Sequence, residues 1–246
     1  MTVRRMLALV LLFAGALTRS ASAQQHASVP DTLEQRLRAC AACHGDKGEG
    51  LAGKDEYYPR LAGKPAGYLV NQLRNFRDRR REYGIMNYMV AFLSDAYLLE
   101  IANHYAALHP RFPAPSTRAS PAELARGGRL VTHGDRARGL PACTACHGAT
   151  LTGMEPAIPG LLGLYPPYVK AQLGAWKNNA RRATRPDCMQ AVAQKLTPDD
   201  IAAVTAWLVA QPVPADLRPL AAGTLELPLE CGGLDQLPSK QREGAR

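Results

Sequence analysis

The chain has 246 residues, a formal charge of +9 and a sequence pI near 9.4. Aromatic residues make up only 6 % and no nucleic-acid-binding motif is present, so the basic balance does not read as DNA or RNA binding. The length suffices for one or two domains, and the six cysteines invite a redox or covalent-cofactor reading.

The first stretch is a targeting pattern. Arg4 and Arg5 precede an apolar run over 6–18, followed by Ala21-Ser22-Ala23 as a small-x-small cleavage site. This predicts a secretory signal peptide over 1–23, too short in its apolar part to span a bilayer. No later stretch is apolar enough to span, so a soluble mature protein in the periplasm is expected, with peripheral membrane association left open. Export permits a disulfide between the cysteines that no motif uses, Cys188 and Cys231.

Asp31 and Glu34 read as a cap pair opening a helix through Leu33, Leu37 and Cys40. That helix carries Cys40-Ala41-Ala42-Cys43-His44, and the same pattern returns as Cys143-Thr144-Ala145-Cys146-His147. C-x-x-C-H is the attachment pattern for c-type haem. Two thiols three positions apart share one helical face and each can add to a haem vinyl group, and the next residue offers an imidazole to iron. A redox dithiol needs no histidine there, and a zinc site would need further Cys or His ligands close by, which neither motif has. Two covalently attached haem c groups are expected, bound through Cys40, Cys43, Cys143 and Cys146, with His44 and His147 as iron ligands.

The surroundings repeat as well. Pro59-Arg60-Leu61-Ala62-Gly63 matches Pro159-Gly160-Leu161-Leu162-Gly163. Tyr68 matches Tyr168, Gln72-Leu73 matches Gln172-Leu173, and Phe76 matches Trp176, all at an offset of 100. The motifs and the closing helices, opened by Ser94 and by Thr197-Pro198, match at 103. Small slips between matched blocks mark two diverged copies of one domain. Apolar stripes predict a helix through Leu69, Leu73 and Phe76 and another through Val169, Leu173 and Trp176. Closing helices run through Leu98, Ile101 and Tyr105 and through Ile201, Val204 and Leu208. No convincing alternating strand pattern occurs, so the fold class is all-α. The division is 1–23 signal peptide, 24–109 first domain, 110–120 Pro-rich linker, 121–211 second domain opened by a Ser120 cap, and 212–246 a Pro/Gly-rich tail.

The repeat also selects a second axial ligand. Met86 and Met189 stand at the same distance before Ser94 and Thr197, whereas Met89 has Val192 as its counterpart. Met86 and Met189 are the expected iron ligands, which would give low-spin iron at a raised potential, and Met154 is expected to pack. A carbonyl near Pro59 or Pro159 could accept the histidine Nδ1–H, the plainer role of both prolines being a rigid turn. Tyr68 and Tyr168 have three readings: a propionate contact, a domain interface, or core. The arginines at 74, 77, 79, 80 and 81, and at 181, 182 and 185, read either as a solvated face, as a field steering acidic partners, or as propionate partners.

Over about 31–210 the sequence resembles the two-haem class I cytochromes c of the cytochrome c-four type. The resemblance rests on the paired C-x-x-C-H, P-x-L-x-G, Y-x-x-x-Q-L and Met-then-Ser/Thr blocks. It implies two tandem helical cytochrome c domains about a pseudo-twofold axis, each with one His/Met haem and propionates near the interface. It implies a periplasmic electron carrier passing single electrons between a dehydrogenase or quinol-oxidising complex and a terminal oxidase, not an enzyme. Other readings are a di-haem oxidoreductase of thiosulfate dehydrogenase or peroxidase type, with Cys188 as a thiolate ligand, and the electron-transfer subunit of a dehydrogenase complex. The chain departs from the pattern at Cys188 and in its longer tail, and a Cys188–Cys231 disulfide strapping the tail over the second haem is the corresponding expectation.

Overall fold

The computed structural model describes residues 32–52, 57–111 and 116–234. The expected signal peptide, Asp31, the middle of the linker and the last part of the tail lie outside these residues. Helices come in chain order as α1 Leu33–His44, α2 Ala66–Arg77, α3 Gly84–Val90, α4 Asp95–Ala106, α5 Pro121–His133, α6 Thr144–His147, α7 Pro166–Lys177, α8 Cys188–Gln194 and α9 Pro198–Ala210. Two minimal antiparallel pairs add to them: β1 Leu51–Ala52 with β2 Tyr57–Tyr58, and β3 Gly153–Met154 with β4 Ile158–Pro159. The all-α expectation stands. The short pairs close the loop after each C-x-x-C-H motif, where no alternating pattern could announce them.

Helix starts follow the local chemistry. Ser94 accepts from the Tyr97 amide, Ser120 from the Glu123 amide, and Thr197 forms a reciprocal box with Asp200. The cap of α1 is Thr32 rather than Asp31: its hydroxyl accepts from the Gln35 amide at 3.2 Å, which places Glu34 inside the first turn, where it favours the positive end of the helix dipole. Gly45 and Gly148 follow the motif histidines at φ +82° and +84°, so each helix stops directly after its histidine and the chain turns away.

Each half has its own apolar core. Leu37, Leu69, Val70, Ile101, Ala102 and Tyr105 pack in the first, and Leu130, Val131, Leu173, Ile201, Val204 and Leu208 belong to the second. In the second half α5 crosses α9 at Gly127, where an added Cβ would run into the Ala203 carbonyl. The same pair of helices is tied by Asp200, which is fully buried and takes Arg126 at 2.7 Å and Arg138 at 2.6 Å. Burial alone would raise its pKa, but bonds from Arg138, Thr197 and Arg126 outweigh that and hold the carboxyl far below the usual carboxylate range. A depressed folded-state pKa contributes stability above the unfolded value of about 3.9, lost as pH falls toward the folded value. Asp200→Asn is therefore expected to cost about 2 kcal/mol at neutral pH in denaturant unfolding, and to flatten the acid-side loss of stability.

Candidate haem centres

In the second half, α6 carries the motif, with Cys143 at its start and His147 at its end. His147 is buried, and its Nδ1 lies 2.7 Å from the Pro159 carbonyl oxygen. Donation of Nδ1–H to that oxygen leaves Nε2 with its lone pair, the form a metal ligand needs. Burial lowers the imidazole pKa, the Pro159 carbonyl opposes this, and Lys64 adds to the lowering, so the net shift favours the neutral ring. Cys143, Cys146, His147 and Met189 line one cavity whose walls are mostly aliphatic, with Leu130, Val169, Leu173 and Leu208 among them. An apolar slot holding two thiols, one carbonyl-fixed imidazole and one thioether fits a flat hydrophobic macrocycle attached at two points. Burial pushes the Cys143 thiol up to about 11, which keeps it a thiol.

The first half repeats the arrangement. His44 is buried at the end of α1, and its Nδ1 lies 2.9 Å from the Pro59 carbonyl oxygen. Cys40 packs against the first core, and Met86 packs against the cluster of Phe76, Val90 and Leu98. Cys43 is half-buried with a free thiol, as are the other three motif cysteines.

The short helices that carry the methionines are held by residues that the sequence reading missed. Asn87 is buried; its Oδ1 accepts from the Tyr83 amide, and its Nδ2 donates to the Phe76 carbonyl at 2.6 Å and the Arg81 carbonyl at 2.9 Å. Asp187 caps α8 through Gln190 and also accepts from the Ala183 amide. An Asn or Asp next to a short apolar segment is a recognisable capping signal, but the repeat does not align these two residues.

The two halves meet about a near-symmetric polar cluster. Arg81 and Arg181 face each other in an antiparallel bridge, and both are buried. Arg81 donates to Gln72 at 3.0 Å, Gln172 at 2.7 Å and the Tyr168 hydroxyl at 3.1 Å. Arg181 donates to Gln172 at 2.8 Å, Gln72 at 2.8 Å and the Tyr68 hydroxyl at 3.3 Å. Each guanidinium also stacks on its own domain's aromatic ring, Arg81 on Phe76 and Arg181 on Trp176. Tyr68 and Tyr168 are thus interface residues. The arginine clusters are not one solvated steering face: Arg74 and Arg77 pair with Asp95, Arg80 pairs with Asp78, and Arg81 and Arg181 are sealed between the halves. Spacing alone could not separate these fates, because burial at an interface leaves no periodic mark. No carboxylate of the described residues pairs with Arg81 or Arg181, and Arg181, which lines the second cavity, leaves positive charge there for an anionic group.

Cys188 and Cys231 are joined in a disulfide. The tail reaches it by first running along the second half: the Leu220 amide donates to Gly153, and the Glu155 amide donates to Leu220. Beyond it, the Gly232 amide donates to Pro186, and the Asn71 side chain of α2 donates to the Gly233 carbonyl at 2.6 Å. Leu229, Cys231 and Leu234 line the second cavity, so the tail forms one of its walls. Met154 is buried in β3 as packing, beside the tail at Leu220. With its sulfur bonded to Cys231, Cys188 is not available as a thiolate ligand. Among the described residues no single helix is long and apolar enough to cross a membrane.

The model of the family described as Cytochrome c matches residues 124–211. The chain is 39 % identical over 211 residues to the thiosulfate dehydrogenase electron acceptor of Thiomonas intermedia, covering 86 % of this chain and 93 % of that protein. It is 32 % identical to cytochrome c4 of Pseudomonas aeruginosa over 71 % of this chain and 85 % of the relative. Among solved structures, reduced recombinant cytochrome c4 from Pseudomonas stutzeri superposes with a TM-score of 0.62 at 29 % identity, over 72 % of this chain and 95 % of that one.

Proposed function

Because this chain belongs to the cytochrome c4 family of two-haem cytochromes c, with covalently bound haem c as its cofactor, we propose that it accepts electrons singly from a thiosulfate-oxidising dehydrogenase in the periplasm and hands them to a terminal acceptor. Membership makes it a two-haem electron carrier or an electron-acceptor subunit; donor, acceptor and compartment are our reading. The donor is assigned from the named role of the Thiomonas intermedia relative, the compartment from the export pattern over 1–23. The domain division at 110–120 is part of the same proposal.

The observation that carries this reading is the duplicated set of candidate ligands on either side of one interface: His44 and His147 fixed by Pro59 and Pro159, with Met86 and Met189 on short helices, the second capped by Asp187. When bound, the haems supply one-electron exchange between ferric and ferrous iron. The protein's part is to hold and insulate. Cys40, Cys43, Cys143 and Cys146 attach the two groups. The histidine–carbonyl bonds keep each imidazole neutral and in one orientation. Met86 and Met189 would serve as the second ligand of each iron, which would exclude small molecules from it, and Arg81 and Arg181 would offer cations to carboxylates of the bound groups. An open catalytic iron has no support in this arrangement, and the Cys188–Cys231 bond weighs against the thiolate-ligated oxidoreductase reading.

The test is anaerobic mixing of the oxidised holoprotein with a thiosulfate dehydrogenase and thiosulfate, followed by haem absorbance. Reduction of both haems, two electrons per chain, is expected. Haems that stay oxidised there, yet are reduced by dithionite, would remove this donor assignment.

A further inference from the structure

The two copies differ at the loop that supplies the carbonyl acceptor for each histidine. The first reads Pro59-Arg60-Leu61-Ala62-Gly63-Lys64, the second Pro159-Gly160-Leu161-Leu162-Gly163-Leu164. The two cations of the first loop have neutral counterparts, and both cross the interface. Lys64 Nζ donates to the Gly160 carbonyl at 3.0 Å, and Arg60 Nη2 donates to the Leu162 carbonyl at 3.3 Å. Lys64 is 4 % exposed, yet it lines the cavity of the second half, and its charge acts on His147. Its ammonium has three N–H groups and one hydrogen-bond acceptor among the described residues; the Tyr68 ring lies 5.9 Å away. Burial, together with the positive charges of Arg60 and Arg181, pushes its pKa well below the usual amine range, and no carboxylate of the described residues pairs with it, so holding its charge requires an anion beside it. A buried cation facing a cavity with spare donors calls for an anion from whatever fills that cavity.

We propose that Lys64, delivered by the first domain, is a positioning residue for the second redox centre, pairing with a carboxylate of the group bound there and biasing that centre toward its reduced state. The inference rests on the reading that His147 and Met189 hold the second haem. Reduction adds one electron, and thus one negative charge, beside a cation in a low-dielectric setting, which favours the ferrous form. Each centre has one interface arginine near it, Arg81 acting on His44 and Arg181 lining the second cavity, but the first centre has Leu164 where the second has Lys64 and so lacks this additional cation. Electrons taken up at the first centre then come to rest at the second, which gives the pair a direction.

The experiment is spectroelectrochemical titration of the holoprotein and of Lys64→Met and Lys64→Arg, with haem content measured by mass and absorbance. Lys64→Met is expected to lower the reduced-to-oxidised ratio of the higher-potential centre about tenfold at a fixed solution potential, ~59 mV for a one-electron couple. The other centre stays in place, and Lys64→Arg keeps most of the bias. Two intact haems with unmoved potentials, or with both moved equally, would overturn the inference. A second measurement does not depend on the Lys64 variants folding: Met189→Ala identifies which wave of the native protein belongs to the second domain. That wave is expected to be the higher one, and finding it the lower overturns the proposal. A native holoprotein with fewer than two haems would instead remove the site reading on which it stands.

Discussion

Met189→Ala is expected to lower the potential of the second haem by about 0.15 V, within the roughly 0.8 V range that axial ligands span. The reduced form loses on the order of several hundredfold in population at a fixed solution potential. A thioether stabilises ferrous over ferric iron, and alanine leaves the position to water, which favours the ferric state. The sulfur-to-iron charge-transfer band of the oxidised protein should fall to half, since only one of two centres is touched. Met86→Ala should remove the other half, and Met89→Ala should change neither band nor potentials, because Met89 is matched by Val192 in the repeat. The cavity wall keeps Cys143, Cys146 and His147 in place in the Met189 variant, so haem content is expected to stay at two. Met189 itself is partly buried against the second core, so packing changes should be small beside the redox effect.

The second large effect is at the interface. Arg181→Ala removes the donor to Gln72, Gln172 and the Tyr68 hydroxyl, together with the stacking on Trp176 at 3.7 Å. Acceptors buried between the halves lose their partner, and a haem propionate placed there loses its cation. Truncating one member of such a buried charged network costs about 4 kcal/mol. The expected sign is stabilisation of the native protein by Arg181, with the loss appearing in denaturant unfolding of the holoprotein. The unfolding curve, read at each haem, should split from one shared transition into two, because the same residues tie one domain to the other. Arg79, largely exposed and in loose contact with Glu82 at 3.9 Å, is the control, and Arg79→Ala should stay within about 0.5 kcal/mol of native.

What the sequence revealed followed from local chemistry. The C-x-x-C-H motifs, the Ser94 and Thr197 caps and the helix stripes each need only a few neighbouring residues, and the repeat lent them register. The Pro59 and Pro159 carbonyls were readable because both copies open the matched P-x-L-x-G block with proline, 15 residues after His44 and 12 after His147. The α1 cap moved by one residue, since Asp31 and Thr32 are both competent caps and geometry selects between them. The fate of the arginines was hidden for a different reason. Arg77, half-buried and paired with Asp95, and Arg181 in a sealed interface are alike in sequence, and only the docking of the domains separates them. The tail's hold on the first domain runs through the Gly233 backbone carbonyl, which no side-chain pattern can announce. Lys64 shows the converse: the break in the repeat was on view, but its meaning required knowing that the loop points into the other half.

The central claim is that the chain carries two haems, each held by histidine and methionine. Stepwise spectroelectrochemical titration of the native holoprotein, with the charge-transfer band followed in the oxidised form, tests it directly. The account predicts two one-electron waves, low-spin spectra throughout and a sulfur–iron band of twice the single-centre intensity. One wave, or a high-spin or thiolate-ligated centre at either site, would contradict it.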